Sequence, residues 1–209
     1  PMLMILFLLV AFLLGSIPFS YVFGKQLRGI DLRQHGSGNL GATNVFRTLG
    51  KGWGILCLVL DMLKGAVAVW IMSLAAAAWP PEFGNAILDQ ADLWRILAAV
   101  LAALGHTFSP FVGFQGGKGV ATTAGGFAVL APYPVLVSLV AFLAVFISTR
   151  TVSIGSITAA SVMPFAVLFF ELKTPPPSVT IIVFATLVCA WVIFKLRSNI
   201  QRLREGTEK

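Results

Sequence analysis

The sequence predicts an all-α fold: an integral membrane bundle of seven transmembrane helices, with the amino terminus outside and the carboxyl terminus cytoplasmic. Three observations predict it. Of 209 residues, 57% are hydrophobic and only 11% are charged, more apolar surface than a soluble core of this length can hide. The apolar residues fall into long runs divided by short polar segments. The basic residues gather in alternate segments, as they do when one side of a membrane retains positive charge.

About 20 apolar residues cross the roughly 30 Å hydrocarbon layer as a helix, which satisfies its own backbone groups. Seven runs qualify as candidates, at 3–23, 53–76, 93–112, 117–131, 134–148, 153–170 and 179–194. The first has no basic residue ahead of it and no small-x-small cleavage site behind it, so it reads as a span and not as a secretory signal. The opening residue, Pro1, reads as a processed or engineered terminus.

The fourth and fifth runs are short and could form one helix, but Pro132, Tyr133 and Pro134 interrupt them, and prolines break helices. Parity agrees with the break. With a hairpin there, Lys25, Arg28, Arg33, Arg47, Lys51, Lys118, Arg150, Lys195, Arg197, Arg202, Arg204 and Lys209 share one side, which is 12 of the 15 basic residues. The opposite segments hold Glu82, Asp89, Asp92, Glu171 and Lys173, with Arg95 just inside the third run. A merged helix would scatter the bases over both faces. The whole chain, 1–209, reads as a single domain.

The same clustering excludes nucleic-acid binding as the meaning of the net charge of +7, because the bases sit between apolar runs and not along a solvated face. Cys57 and Cys189 lie inside apolar runs as small hydrophobes, so no disulfide framework or zinc site is implied.

Chemistry is expected where polar, glycine-rich sequence interrupts the apolar chain. Between Arg33 and Arg47 stand Gly36, Ser37, Gly38, Asn39, Gly41, Thr43 and Asn44. A helix begun near Asn39 would align Asn39, Thr43 and Arg47 on one face, a donor-rich surface suited to phosphate. The second interruption follows Gly105 and His106 and contains Gly113, Gly116, Gly117, Lys118, Gly119, Thr122 and Thr123. It lacks the spacing and the Ser/Thr after lysine of a nucleotide-binding P-loop, so ATP hydrolysis is not expected. Glycine amides, a helix amino terminus and a lysine still make an anion site. His106 is expected to touch substrate, whereas His35 reads as a solvated neighbour.

The third interruption places Arg150 beside Ser153 and Ser156, which also suit an interfacial anchor, a helix cap and close helix packing. Asp61 and Lys64, three residues apart within the second run, read as a mutually neutralising pair, because charge at that depth is unfavourable without a partner. The segments around Asn39, Lys118 and Ser153 are expected to converge on one anion-holding cavity at the cytoplasmic boundary.

Six segments in order carry a resemblance over nearly the whole chain: residues 15–20, 36–44 with Arg47, 61–65 (Asp-Met-Leu-Lys-Gly), 105–106, 116–122 (Gly-Gly-Lys-Gly-Val-Ala-Thr) and 153–156. They resemble the acyl-phosphate-dependent glycerol-3-phosphate acyltransferases of bacteria, the PlsY family. The resemblance implies a seven-helix enzyme of the bacterial inner membrane, its amino terminus periplasmic and its active site facing the cytoplasm. The substrates would be glycerol-3-phosphate and acyl phosphate, and the products lysophosphatidic acid and phosphate.

By the same resemblance Ser37, Arg47, Lys118 and His106 are the catalytic group. Asn39, Thr43, Asn44, Gly116, Gly117, Gly119, Thr122, Arg150, Ser153 and Asn199 contact substrate or phosphate. No metal, nucleotide cofactor or obligate protein partner is implied. Where the family tail often carries histidine, three residues before Asn199, this chain has Leu196; Arg202, Leu203 and Glu208 otherwise fit, with Glu208 read as structural. The rival reading, a transporter of phosphorylated metabolites, predicts a midplane site between related halves, whereas these loops gather at one face.

Overall fold

The computed structural model describes residues 2–85, 87, 90–174 and 176–208. Pro1, Asp89 and Lys209, which entered the reading of the termini and of charge asymmetry, lie outside the described residues. All regular structure among the described residues is helical. The α-helices are α1 (Met2–Ser16), α2 (Phe19–Arg28), α3 (Ala42–Leu49), α4 (Lys51–Ala78), α5 (Ala91–Thr107), α6 (Val120–Leu130), α7 (Pro132–Thr149), α8 (Val152–Lys173), α9 (Val179–Lys195) and α10 (Arg197–Arg204). Short 3₁₀ turns lie at Leu32–Gln34 and Pro110–Val112.

The expected count of seven spans is coarser in the structure. Five segments are long and apolar enough to cross a membrane: Met2–Arg28, Lys51–Ala78, Ala91–Val112, Pro132–Thr149 and Val152–Lys173. A sixth is possible if α9 and α10, bent by 50°, form one broken span. The difference lies in the fourth run, where α6 has only 11 residues, about 16 Å of helix or half the hydrocarbon thickness. Residues 117–119 stay in the preceding loop, and a break at Ala131 with Pro132 opening α7 ends the helix as the proline signal required.

The described chain forms two compact units, residues 1–130 and 131–209. In the first, small residues let helices meet closely. A Cβ on Gly15 would strike Ala102 O, and one on Gly105 would strike Phe12 O, so α1 and α5 touch backbone to backbone. Ala11, Ala68, Met72, Ala98 and Ala102 fill the buried cluster around that contact. In the second unit α8 packs with α7 and α9. Leu136, Val140, Leu143 and Ile147 of α7 are exposed at helical spacing, the face expected to meet lipid.

Candidate functional site

The first glycine loop is a folded structure held by one buried amide. Asn44, on α3 and 1% exposed, accepts the Ser37 N–H at 2.9 Å through Oδ1. Its Nδ2 donates to Leu32 O and His35 O, each at 3.0 Å. Gly36 has φ +63°, and a Cβ there would overlap Asn44 Oδ1, so glycine is required twice over. The helix begins at Ala42, later than expected from sequence; Thr43 and Arg47 share its face, but Asn39 lies in the turn before it. Ser37 and Arg47 are exposed, while Asn44 has its polar atoms engaged within the loop.

A clamp that sequence reading missed ties this loop to the next. Asp31 caps the 3₁₀ turn by accepting the Arg33 N–H at 3.0 Å, and its Oδ2 takes Arg33 Nη2 at 2.6 Å. Arg33 Nη1 donates to Val112 O at 2.9 Å, one residue before the second loop. The Arg33 hydrogen bond holds the Asp31 carboxyl below the usual carboxylate range, and Asp31 in turn raises the guanidinium further.

The second loop folds back on the end of α5. Gly116 N–H donates to Thr107 O and Gly117 N–H to His106 O, each at 3.0 Å. Those two amides therefore hold the loop in place and are not the free anion donors that the sequence suggested. A Cβ on Gly117 would collide with His106 Nε2 and with Leu40 O, so the loop of Lys118, the ring of His106 and the loop of Asn39 meet at this residue. Gly119 follows at φ +77°, and α6 starts directly after it at Val120. Thr107, Thr122 and Thr123 bury hydroxyls that have no protein hydrogen-bond partner among the described residues.

Beneath this junction lies a buried ionic cluster. Lys64 Nζ stands 2.9 Å from Asp61 Oδ1 and also donates to Ile17 O at 2.9 Å, at the break between α1 and α2 that Pro18 enforces. The Lys64–Asp61 contact is an ion pair without the alignment of a hydrogen bond. The expected neutralising pair is present, and the structure adds a third member: His106 Nδ1 lies 3.5 Å from Asp61 Oδ1. Sequence spacing of 45 residues carries no signal for that contact.

In the second unit Ser153 and Asn199 are joined by the carboxyl-terminal tail. Glu208 Oε1 accepts Ser153 Oγ–H at 2.5 Å and Asn199 Nδ2 at 2.7 Å, while Oε2 takes Arg202 Nε at 2.6 Å. Burial pushes the Glu208 carboxyl up, but the hydrogen bonds of Ser153, Arg202 and Asn199 outweigh it and leave the group below its ordinary value. Ser153 is therefore not the cap of its helix; Thr151 holds that position. Leu196 is buried between α9 and α10. Arg150 is exposed, in the left-handed conformation that ends α7.

Comparison with known proteins is consistent in sequence and in structure. The model of the family described as glycerol-3-phosphate acyltransferase matches residues 5–206. A protein of Moorella thermoacetica named glycerol-3-phosphate acyltransferase 2 is 43% identical, covering 98% of this chain and 95% of its own. A glycerol-3-phosphate acyltransferase of Trichlorobacter lovleyi is 47% identical, covering 95% and 92%. The crystal structure of PlsY (YgiH), an integral membrane glycerol 3-phosphate acyltransferase in its glycerol 3-phosphate form, superposes with a TM-score of 0.82. It shares 36% identity over 99% of this chain and 94% of that one. The lysophosphatidic acid form of the same enzyme gives a TM-score of 0.79 at 35% identity, over 99% and 94%. This chain belongs to the glycerol-3-phosphate acyltransferase family.

Proposed function

We propose that this chain is a membrane acyltransferase that moves a fatty acyl group from acyl phosphate to the sn-1 hydroxyl of glycerol-3-phosphate, giving lysophosphatidic acid and phosphate. Membership of the family supports the acyl acceptor. One structural observation favours a phosphate-handling role: the two glycine loops, with Ser37 and Arg47 on one and Lys118 on the other, are fastened together by Arg33–Val112 and by the close approach at Gly117.

In the reaction the glycerol hydroxyl oxygen forms a new bond to the acyl carbonyl carbon and the bond from that carbon to the phosphate oxygen breaks. The hydroxyl proton leaves with the phosphate. Acyl phosphate is already activated, and the loops lack the His-x₄-Asp spacing of thioester-dependent glycerolipid acyltransferases. Positioning and electrostatic stabilisation of two anionic substrates therefore supply the rate.

Arg47, Lys118 and Ser37 hold phosphate oxygens in this reading, with Asn39, Thr43 and Thr122 around them. Gly116, Gly117 and Gly119 contribute by leaving room for substrate and neighbours, and Asn44 by shaping the Ser37 loop. His106 contacts the acceptor hydroxyl. Arg150, Ser153 and Asn199 are assigned to substrate contact as well. The activity is assigned to residues 1–209 as a single domain, without a cofactor or obligate protein partner.

The proposed topology has seven membrane helices in the bacterial inner membrane, α6 being a short one, with a periplasmic amino terminus and the catalytic loops facing the cytoplasm. The acyl donor enters from the bilayer and glycerol-3-phosphate from the cytoplasm. Purified protein given radiolabelled glycerol-3-phosphate tests the assignment: labelled lysophosphatidic acid should form with acyl phosphate and not with an acyl thioester. No lipid product with either donor rules the reading out, and product with the thioester alone rules out the donor.

A further inference from the structure

His106 is held from two sides. Its Nδ1 lies 3.5 Å from Asp61 Oδ1, a charge contact without hydrogen-bond alignment, and a Cβ on Gly117 would collide with its Nε2. Asp61 is 2% exposed and His106 8%, so neither contact is a surface accident. Lys64 already balances the Asp61 charge at 2.9 Å. A neutral imidazole carries one proton, and the partner of one ring nitrogen decides which nitrogen bears it.

We propose that Asp61 is a positioning residue acting through His106: the carboxylate 3.5 Å from Nδ1 holds the ring proton on that nitrogen and thereby leaves the lone pair on Nε2, beside the glycine loop that precedes Lys118. The inference rests on the acyltransfer reading and deepens it. An acceptor nitrogen there takes a hydrogen bond from the glycerol hydroxyl and turns an oxygen lone pair toward the acyl carbonyl. The carbon–oxygen bond then forms, phosphate departs, and the proton finishes on phosphate. Charge neutralisation of Lys64 alone would give Asp61 no reason to contact the ring, and the shared Oδ1 contacts both.

The chain has only two histidines, so His35→Gln leaves His106 as the sole imidazole in ¹⁵N-histidine spectra of protein in lipid nanodiscs. The expected spectrum has the proton on Nδ1. Asp61→Leu combined with Lys64→Met removes both charges together and keeps apolar volume, a change that buried ion pairs often tolerate. It should move the proton to Nε2 and lower kcat by about tenfold or more, the scale on which partners that orient a working histidine act. KM for glycerol-3-phosphate should stay within about threefold, since the phosphate contacts are elsewhere.

Asp61→Asn with Lys64→Met keeps an oxygen acceptor for Nδ1–H and should retain the original tautomer and most of kcat. It also keeps the test open if the leucine variant fails to fold. A wild-type spectrum with the proton on Nε2 overturns the proposal, as does an unchanged tautomer in the folded leucine variant. Absence of acyl transfer by the wild type would instead overturn the acyltransfer reading, which the spectra do not depend on.

Discussion

Asn44 Oδ1 accepts the Ser37 N–H at 2.9 Å, so a helix residue buried to 1% exposure fixes the backbone of an exposed serine seven positions earlier. The same amide closes on Leu32 O and His35 O. Asn44→Ala strands the buried Leu32 O, which costs about 1–3 kcal/mol for an unpaired acceptor. The thermal midpoint should fall and acyl transfer should drop by about tenfold or more, as expected when a substrate-positioning loop shifts. Thermal unfolding and turnover of the same preparation check both.

Gly117 is the point where two loops and a ring meet. Gly117→Ala places a methyl against His106 Nε2 and Leu40 O, so the ring and the backbone of the Asn39 loop must shift to admit it. We expect a loss of about 10²-fold in kcat/KM, since displacement on the ångström scale is enough. Gly52→Ala, where nothing lies within 4 Å of the new methyl, should leave activity unchanged and the thermal midpoint equal or higher. Paired kinetics on the two variants separates packing at the site from a general intolerance of alanine.

Lys118→Ala should reduce turnover by about 10²–10³-fold, the scale of a lost electrostatic contact to a developing anion. His106→Ala should retain measurable activity, because the leaving phosphate and not the imidazole receives the proton. Complete loss in a folded His106→Ala protein would make the histidine the base. Single-turnover assays in lipid nanodiscs distinguish the two.

The tail carries a pH dependence with a definite sign. Glu208 is held below its ordinary value, so the stabilisation it gives to Ser153, Asn199 and Arg202 is present above the unfolded carboxylate pKa and is lost as pH falls through the lower folded value. Glu208→Gln removes the titration. The difference in thermal midpoint between wild type and variant should therefore be constant from pH 7 to about 5 and shrink below about pH 4. A difference that grows in acid contradicts the assignment.

Much of the helical frame was legible in the sequence, because runs of apolar residues and the prolines at 132 and 134 act through neighbours in the chain. The short α6 was legible only in part: the fourth apolar run reads from Gly117 in the sequence, but the Gly116 and Gly117 amides bond back to the end of α5 and the helix starts only at Val120. The loops announced themselves by glycine and base content. What each polar group touches did not. The Asn44 amide reads from sequence as a phosphate ligand and is engaged within its loop, and the Asp61–His106 contact joins two helices whose spacing carries no periodic signal. Glu208 was visible as a tail residue, but its grip on Ser153 spans 55 positions.

Equilibrium binding of glycerol-3-phosphate to purified wild-type, Arg47→Gln and Lys118→Gln protein tests the central claim most directly. If the two fastened loops hold the anion, saturable binding by the wild type should weaken by about tenfold or more in each variant, roughly one charge-assisted contact apiece, with the fold intact by thermal unfolding. Equal affinity in all three folded proteins would contradict a phosphate site built on these loops.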